Sequence, residues 1–250
     1  MMLRSVKEII GYRIEATDGP LGHARDFLFD DHSWAIRYLT VESGGWLTGR
    51  QVLLSPLVIS QPQWSQAILP VALTREKVAN SPGIESHQPV SRQHEEQLAI
   101  YYDWAPYWIS PLGVPMTGMI LPIGTVPRTG TEVAKPTTGD PHLRSIKEVT
   151  GYHIHATDGE VGHVTDFLVQ TDGWVLRYMI VDTRNWIPGR KVLVSPAWVT
   201  SVDWPDREVR VDLTREQIRH STHFDPSTPI NREYEIRLYD YYGRPKYWEE

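Results

Sequence analysis

The chain has 250 residues, 40% of them hydrophobic, which suits two modest cores. Its formal charge of −6, mixed in sign along the chain, argues against a nucleic-acid binder, which carries a basic stripe. The absence of cysteine excludes disulfides, thiolate metal ligands and a cysteine nucleophile.

The opening, Met1-Met2-Leu3-Arg4-Ser5-Val6-Lys7-Glu8, has no apolar run of the signal-peptide kind, so a cytoplasmic location is expected. Leu3 to Glu8 then returns as Leu143-Arg144-Ser145-Ile146-Lys147-Glu148. The register holds without a gap as far as Tyr107-Trp108 against Tyr247-Trp248. About 43 of the roughly 106 paired positions are identical, so one unit occurs twice.

Within each copy the spacing predicts short strands. Asp18-Gly19 and Asp158-Gly159 separate two extended runs as hairpin turns do. Gly22 and Gly162 follow where a bulge or tight bend would let a sheet curl. Strands are expected at residues 27–29 and 34–41, then at 52–54, with two shorter ones near 58–59 and 68–71. The second copy matches each of them. Thr74 and Thr214 read as helix N-caps. Residues 91–103 and 231–241 read as a second helix, each followed by aromatic residues. About six short strands per copy with regular turns suggest a small antiparallel barrel, which leaves no exposed sheet edge. The expected class is therefore mainly β: two tandem small antiparallel β-barrels, each followed by short helices and an aromatic tail. The expected divisions are residues 1–108 for the first repeat and its helical extension, 109–141 for a linker, and 142–250 for the second repeat. The linker is rich in proline and glycine, yet its first half is apolar enough to lie against a barrel or a partner chain. The most apolar stretch, residues 109–126, is too short and broken by proline and glycine for a membrane span.

The order Leu-Arg-Ser-x-Lys-Glu, Gly-Tyr, Asp-Gly-x-x-Gly-x-x-x-Asp-Phe and Trp-x-x-Arg-Tyr, met at residues 3–38 and again at 143–178, resembles the PRC-barrel domain. That domain is shared by the photosynthetic reaction-centre H subunit and the C-terminal part of a ribosome maturation factor. The resemblance spans residues 3 to about 80 and 143 to about 220. It implies a β-barrel adaptor that binds proteins, with no enzymatic residues to carry over.

Several residues invite a chemical reading. With a turn at residues 30–33, Asp26 falls opposite Arg37 and Asp166 opposite Arg177, which predicts a structural cross-strand ion pair in each copy. His153 and His155 share a strand face, the minimum for a metal site. The first copy has Arg13 and Glu15 there, so hydrogen-bonded surface histidines are the better reading and no metal site is expected. His23 and His163 recur, each alone. Asp18 and Asp158 lack the oxygen-rich spacing of a calcium loop, and Ser55 and Ser195 lack the glycine elbow of a hydrolase nucleophile. No catalytic residue and no cofactor is therefore expected.

The aromatic residues are the stronger lead. Ten tryptophans and twelve tyrosines are more than two small cores need. Such side chains combine large area with a polar handle and are enriched at interfaces. Trp46 and Trp186 stand beside glycines in loops. Tyr101, Tyr102, Tyr107 and Trp108 end the first copy, and Tyr241, Tyr242, Tyr247 and Trp248 end the second. These residues are the expected interaction surface, although a tail folded back over its own barrel explains them more simply. The expected function is non-catalytic binding or scaffolding of another protein, together with self-association, and without nucleic acid. Two rivals stand beside it. One is a small-ligand or metal-binding protein or enzyme with a site between the repeats; the other is a peripheral membrane or photosynthetic assembly factor.

Overall fold

The computed structural model describes residues 2–43, 51–82, 90, 92–107, 142–183 and 190–249. Trp46, Trp108, Trp186 and the linker lie outside them. The first copy runs β1 (Leu3–Ser5), α1 (Val6–Ile9), β2 (Arg13–Ala16), β3 (Gly19–Asp30), β4 (Ile36–Glu42), β5 (Gln51–Leu54), β6 (Ile68–Pro70), α2 (Arg75–Ala79) and α3 (Arg92–Tyr102). The second copy follows with β7 (Leu143–Ser145), α4 (Ile146–Val149), β8 (His153–Ala156), β9 (Gly159–Gln170), β10 (Val175–Asp182) and β11 (Lys191–Val194). It ends with β12 (Val199–Asp203), β13 (Glu208–Val211), α5 (Arg215–His220) and α6 (Arg232–Tyr242).

The protein is mainly β, with two sheets. One has the order β5-β4-β3-β2-β6, the other β11-β10-β9-β8-β13-β12. Among the described residues no ladder closes either sheet on itself. Most pairs are antiparallel, as expected, but β2 with β6 and β8 with β13 run parallel. A parallel neighbour needs a long crossover, which the intervening strands provide, three in the first copy and four in the second.

Each sheet takes one more strand, and it comes from the other repeat. β1 pairs antiparallel with β9, setting Leu3 against Gln170 and Ser5 against Leu168. β7 pairs with β3, setting Leu143 against Asp30 and Ser145 against Leu28. The two compact units are accordingly Ile9–Ser145, and Met1–Glu8 with Ile146–Glu250. The boundaries expected at 108 and 142 follow the repeat in sequence and miss this exchange. Its physical basis is length. β3 and β9 have twelve residues each, and their hairpin partners β2 and β8 only four. The far half of each long strand would present bare N–H and C=O groups, and a Leu-Arg-Ser strand covers that edge.

The glycines of the long strands have a steric role. A Cβ on Gly22 would collide with the Glu42 carbonyl, and one on Gly162 with that of Asp182. Only glycine fits at that approach, and the hairpin register slips beside it, with Ile14 opposite Gly22 and Glu15 opposite Pro20. Thr74 accepts from the Lys77 amide and Thr214 forms a capping box with Gln217, as expected. The hairpin aspartates add a second cap: Asp18 accepts from the Arg75 amide at 2.8 Å and Asp158 from that of Arg215 at 2.7 Å. α6 starts on its Asn231 cap and buries Glu235, Leu238, Tyr239 and Tyr242, the i, i+3, i+4, i+7 stripe of a core-facing helix. α3 buries the matching Glu95, Leu98, Ala99 and Tyr102.

Candidate functional site

The cross-strand ion pairs expected of Asp26 with Arg37 and Asp166 with Arg177 do not form. The turn is longer than the sequence suggests, reaching to Ala35, whose carbonyl accepts from the Asp30 amide. The register then slips between Leu28 and Phe29, so Asp26 faces Thr40. Asp166 faces Ile180 by the same displacement. Arg37 and Arg177 sit at the irregularity, without a residue directly across the ladder.

The aspartates instead hold the exchanged strands. Asp166 accepts from the Ser5 hydroxyl at 2.5 Å and from the Lys7 amide at 3.0 Å. Asp26 accepts from the Ser145 hydroxyl at 2.5 Å. Burial raises the Asp166 carboxyl above the ordinary range, against the pull of its hydrogen bonds to Ser5, Phe167 and Lys7.

The arginines are clamped by the aromatic tails. The Arg37 guanidinium lies 3.9 Å from the centre of the Tyr107 ring, and Arg177 lies 4.1 Å from that of Tyr247. Each tyrosine then passes the contact to a buried glutamate. Tyr107 donates to Glu95 at 3.0 Å and Tyr247 to Glu235 at 2.8 Å. Glu235 also accepts from Tyr178 at 2.9 Å and pairs with Arg232 at 3.0 Å, while Arg232 stacks over Trp248. Burial lowers the proton affinity of Arg37, opposed by Asp30 and Tyr107, and raises those of Tyr178 and Tyr247 beyond the usual phenol range. The result is a repeated arginine–tyrosine–glutamate chain joining the central strand, the tail and the helix.

Among the described residues, the other tail tyrosines are also used within their own unit. Tyr101 donates to the Lys77 carbonyl and Tyr241 to that of Gln217, tying α3 to α2 and α6 to α5. Tyr102 stacks on Trp104, and Tyr242 packs against Trp198, where burial pushes its phenol up to about 12. Of the rings expected to form an interaction surface, Tyr241 keeps 43% exposure. His153 and His155 take separate acidic partners. His153 pairs with Glu160 at 3.0 Å and His155 with Glu208 at 3.3 Å. His163 lies opposite His153 in the ladder.

Sequence reasoning missed two sets of residues. Glu95 and Glu235 left a faint signal: an acid at a stripe position of both helices. Asp31, His32 and His142 left none, because the pairing of β7 with β3 brings His142 across more than a hundred residues. Asp31 is surrounded by His32 Nδ1 at 3.0 Å, His142 Nδ1 at 3.2 Å and Arg144 Nε at 3.4 Å.

No protein-family model matches the chain, and no curated protein matches it. Among the described residues, no helix is long and apolar enough to cross a membrane.

Proposed function

We propose that the chain is a tandem PRC-barrel-like scaffold that binds another protein without catalysing a reaction. The observation that carries this reading is the doubled clamp. Arg37, Tyr107 and Glu95 recur as Arg177, Tyr247 and Glu235, and every one of these polar groups faces another member of the chain. Groups that could do acid–base work are engaged in holding helix to sheet, as structural networks with displaced proton affinities commonly are. Each sheet, with its long strand and bulges, has the makings of a small barrel. Two copies would supply two equivalent docking modules, and joining them raises avidity without improving either contact.

With most tail rings used internally, Trp46 and Trp186 remain the foremost candidates to meet a partner. The test is a pull-down from native lysate with soluble and membrane fractions kept apart, comparing the wild type with a folded Trp46→Ala/Trp186→Ala variant. A protein held by the wild type and lost from the variant is the expected result. Failure to retain any protein from either fraction would contradict the scaffold reading.

A further inference from the structure

We propose that Asp31, His32 and His142 form a binding site for a divalent late first-row transition ion of the zinc and cobalt class. Two imidazoles and one carboxylate are the donor set such ions take when thiolates are absent. Each of the three residues can offer one ligand atom, and these atoms lie within 4.8 Å of one another. Both imidazole Nδ1 atoms already converge on a single oxygen, Asp31 Oδ1, at 3.0 and 3.2 Å. Nitrogen and oxygen ligands stand about 2.0–2.2 Å from zinc, so neighbouring ligand atoms around one ion are separated by about 3–3.5 Å.

The surroundings fix the set. Arg144 donates from Nε to the other carboxylate oxygen, Oδ2, at 3.4 Å, which leaves Oδ1 turned toward the histidines. The Asp31 amide donates to the His142 carbonyl at 2.8 Å, aligning the two backbones, and the His32 amide donates to Asp30. The two rings meet edge to face at 4.1 Å between centres. The carboxylate side chain is 9% exposed and the imidazoles 56% and 47%, so an ion would be anchored from below and reached from solvent. Three ligands leave the remaining coordination positions to water. The Arg144 charge opposes the cation, so binding is weaker than at a closed four-ligand site.

The second copy provides an internal control. Its equivalents of Asp31, His32 and His142 are Thr171, Asp172 and Met2, a set with one carboxylate and no imidazole. A bound ion would therefore mark one repeat only. It would also clip the exchanged strand β7, through His142, to the turn after β3.

The experiment uses the full untagged chain, stripped with chelator and titrated with cobalt(II) chloride while the visible ligand-field bands are followed. The wild type is expected to bind one ion per chain, with zinc competing it off. His142→Ala and Asp31→Asn should each weaken binding by about tenfold or more, the scale seen even for supporting residues of metal sites. His153→Ala should leave binding unchanged. As a check independent of variant folding, cobalt should selectively broaden the His32 and His142 imidazole signals in the wild-type NMR spectrum. Absence of binding, retention of full affinity by folded His142→Ala, or weak broadening spread evenly over the histidines would overturn the proposal.

Discussion

Glu235 stands where a core-facing helix ordinarily carries leucine, and it is 3% exposed. A charge so placed is tolerable only when its oxygens are satisfied, and here Tyr178, Tyr247 and Arg232 satisfy them. Tyr247→Phe keeps the ring over Arg177 and removes one donor, leaving a buried carboxylate short of a partner. The expected loss is about 1–3 kcal/mol, read as a lower urea midpoint with an unchanged slope. Asp166 permits a pH test. Its carboxyl is raised in the folded protein, so the folded state holds its proton more tightly than the unfolded one. Stability from this group is therefore full below the ordinary value of 3.8 and falls as pH rises through the raised folded value. Asp166→Asn should flatten that part of the stability–pH curve; an unchanged slope would show that another group sets it.

At the scale of elements, much could be read from the chain. The hairpins at Asp18 and Asp158, the threonine caps and the two longer helices all follow from local chemistry: turn residues, hydroxyl caps and a helical stripe. The register slip beside Gly22 is local as well. What the sequence did not disclose depends on partners distant along the chain. Two identical Leu-Arg-Ser segments can each pair with either long strand, and nothing in either segment distinguishes the choices. The longer turn and the slip at Arg37 are equally hidden, because each of them changes every pairing beyond it. The candidate site depends on this most: the sequence sets Asp26 opposite Arg37, whereas in the structure Asp26 takes the Ser145 hydroxyl and Arg37 the Tyr107 ring. The exchanged strands carry a direct prediction. Ser5→Ala removes the hydroxyl that Asp166 accepts from, and Ser145→Ala does the same to Asp26. Each should cost about 1–3 kcal/mol in thermal or chemical denaturation. Hydrogen exchange should rise first in β1 for Ser5→Ala and in β7 for Ser145→Ala.

At the scale of the whole molecule, the duplication is more than two domains on a string. The chain passes from one compact unit to the other at Glu8–Ile9 and again at Ser145–Ile146. Neither unit is complete without the strand that its neighbour in sequence contributes. Such an exchange resembles domain swapping confined to one chain, with the Leu-Arg-Ser strand that opens each repeat as the exchanged element. Because the chain has no cysteine, the exchange can be tested by cross-linking without background. Leu3→Cys with Gln170→Cys joins residues that face each other across β1 and β9, while Leu3→Cys with Asp30→Cys joins those that would face each other without exchange. Oxidation of the dilute monomer, followed by a non-reducing gel, should give an intramolecular cross-link for the first pair and none for the second. A cross-link between residues 3 and 30, with none between 3 and 170, would contradict the strand exchange on which the account of both units rests.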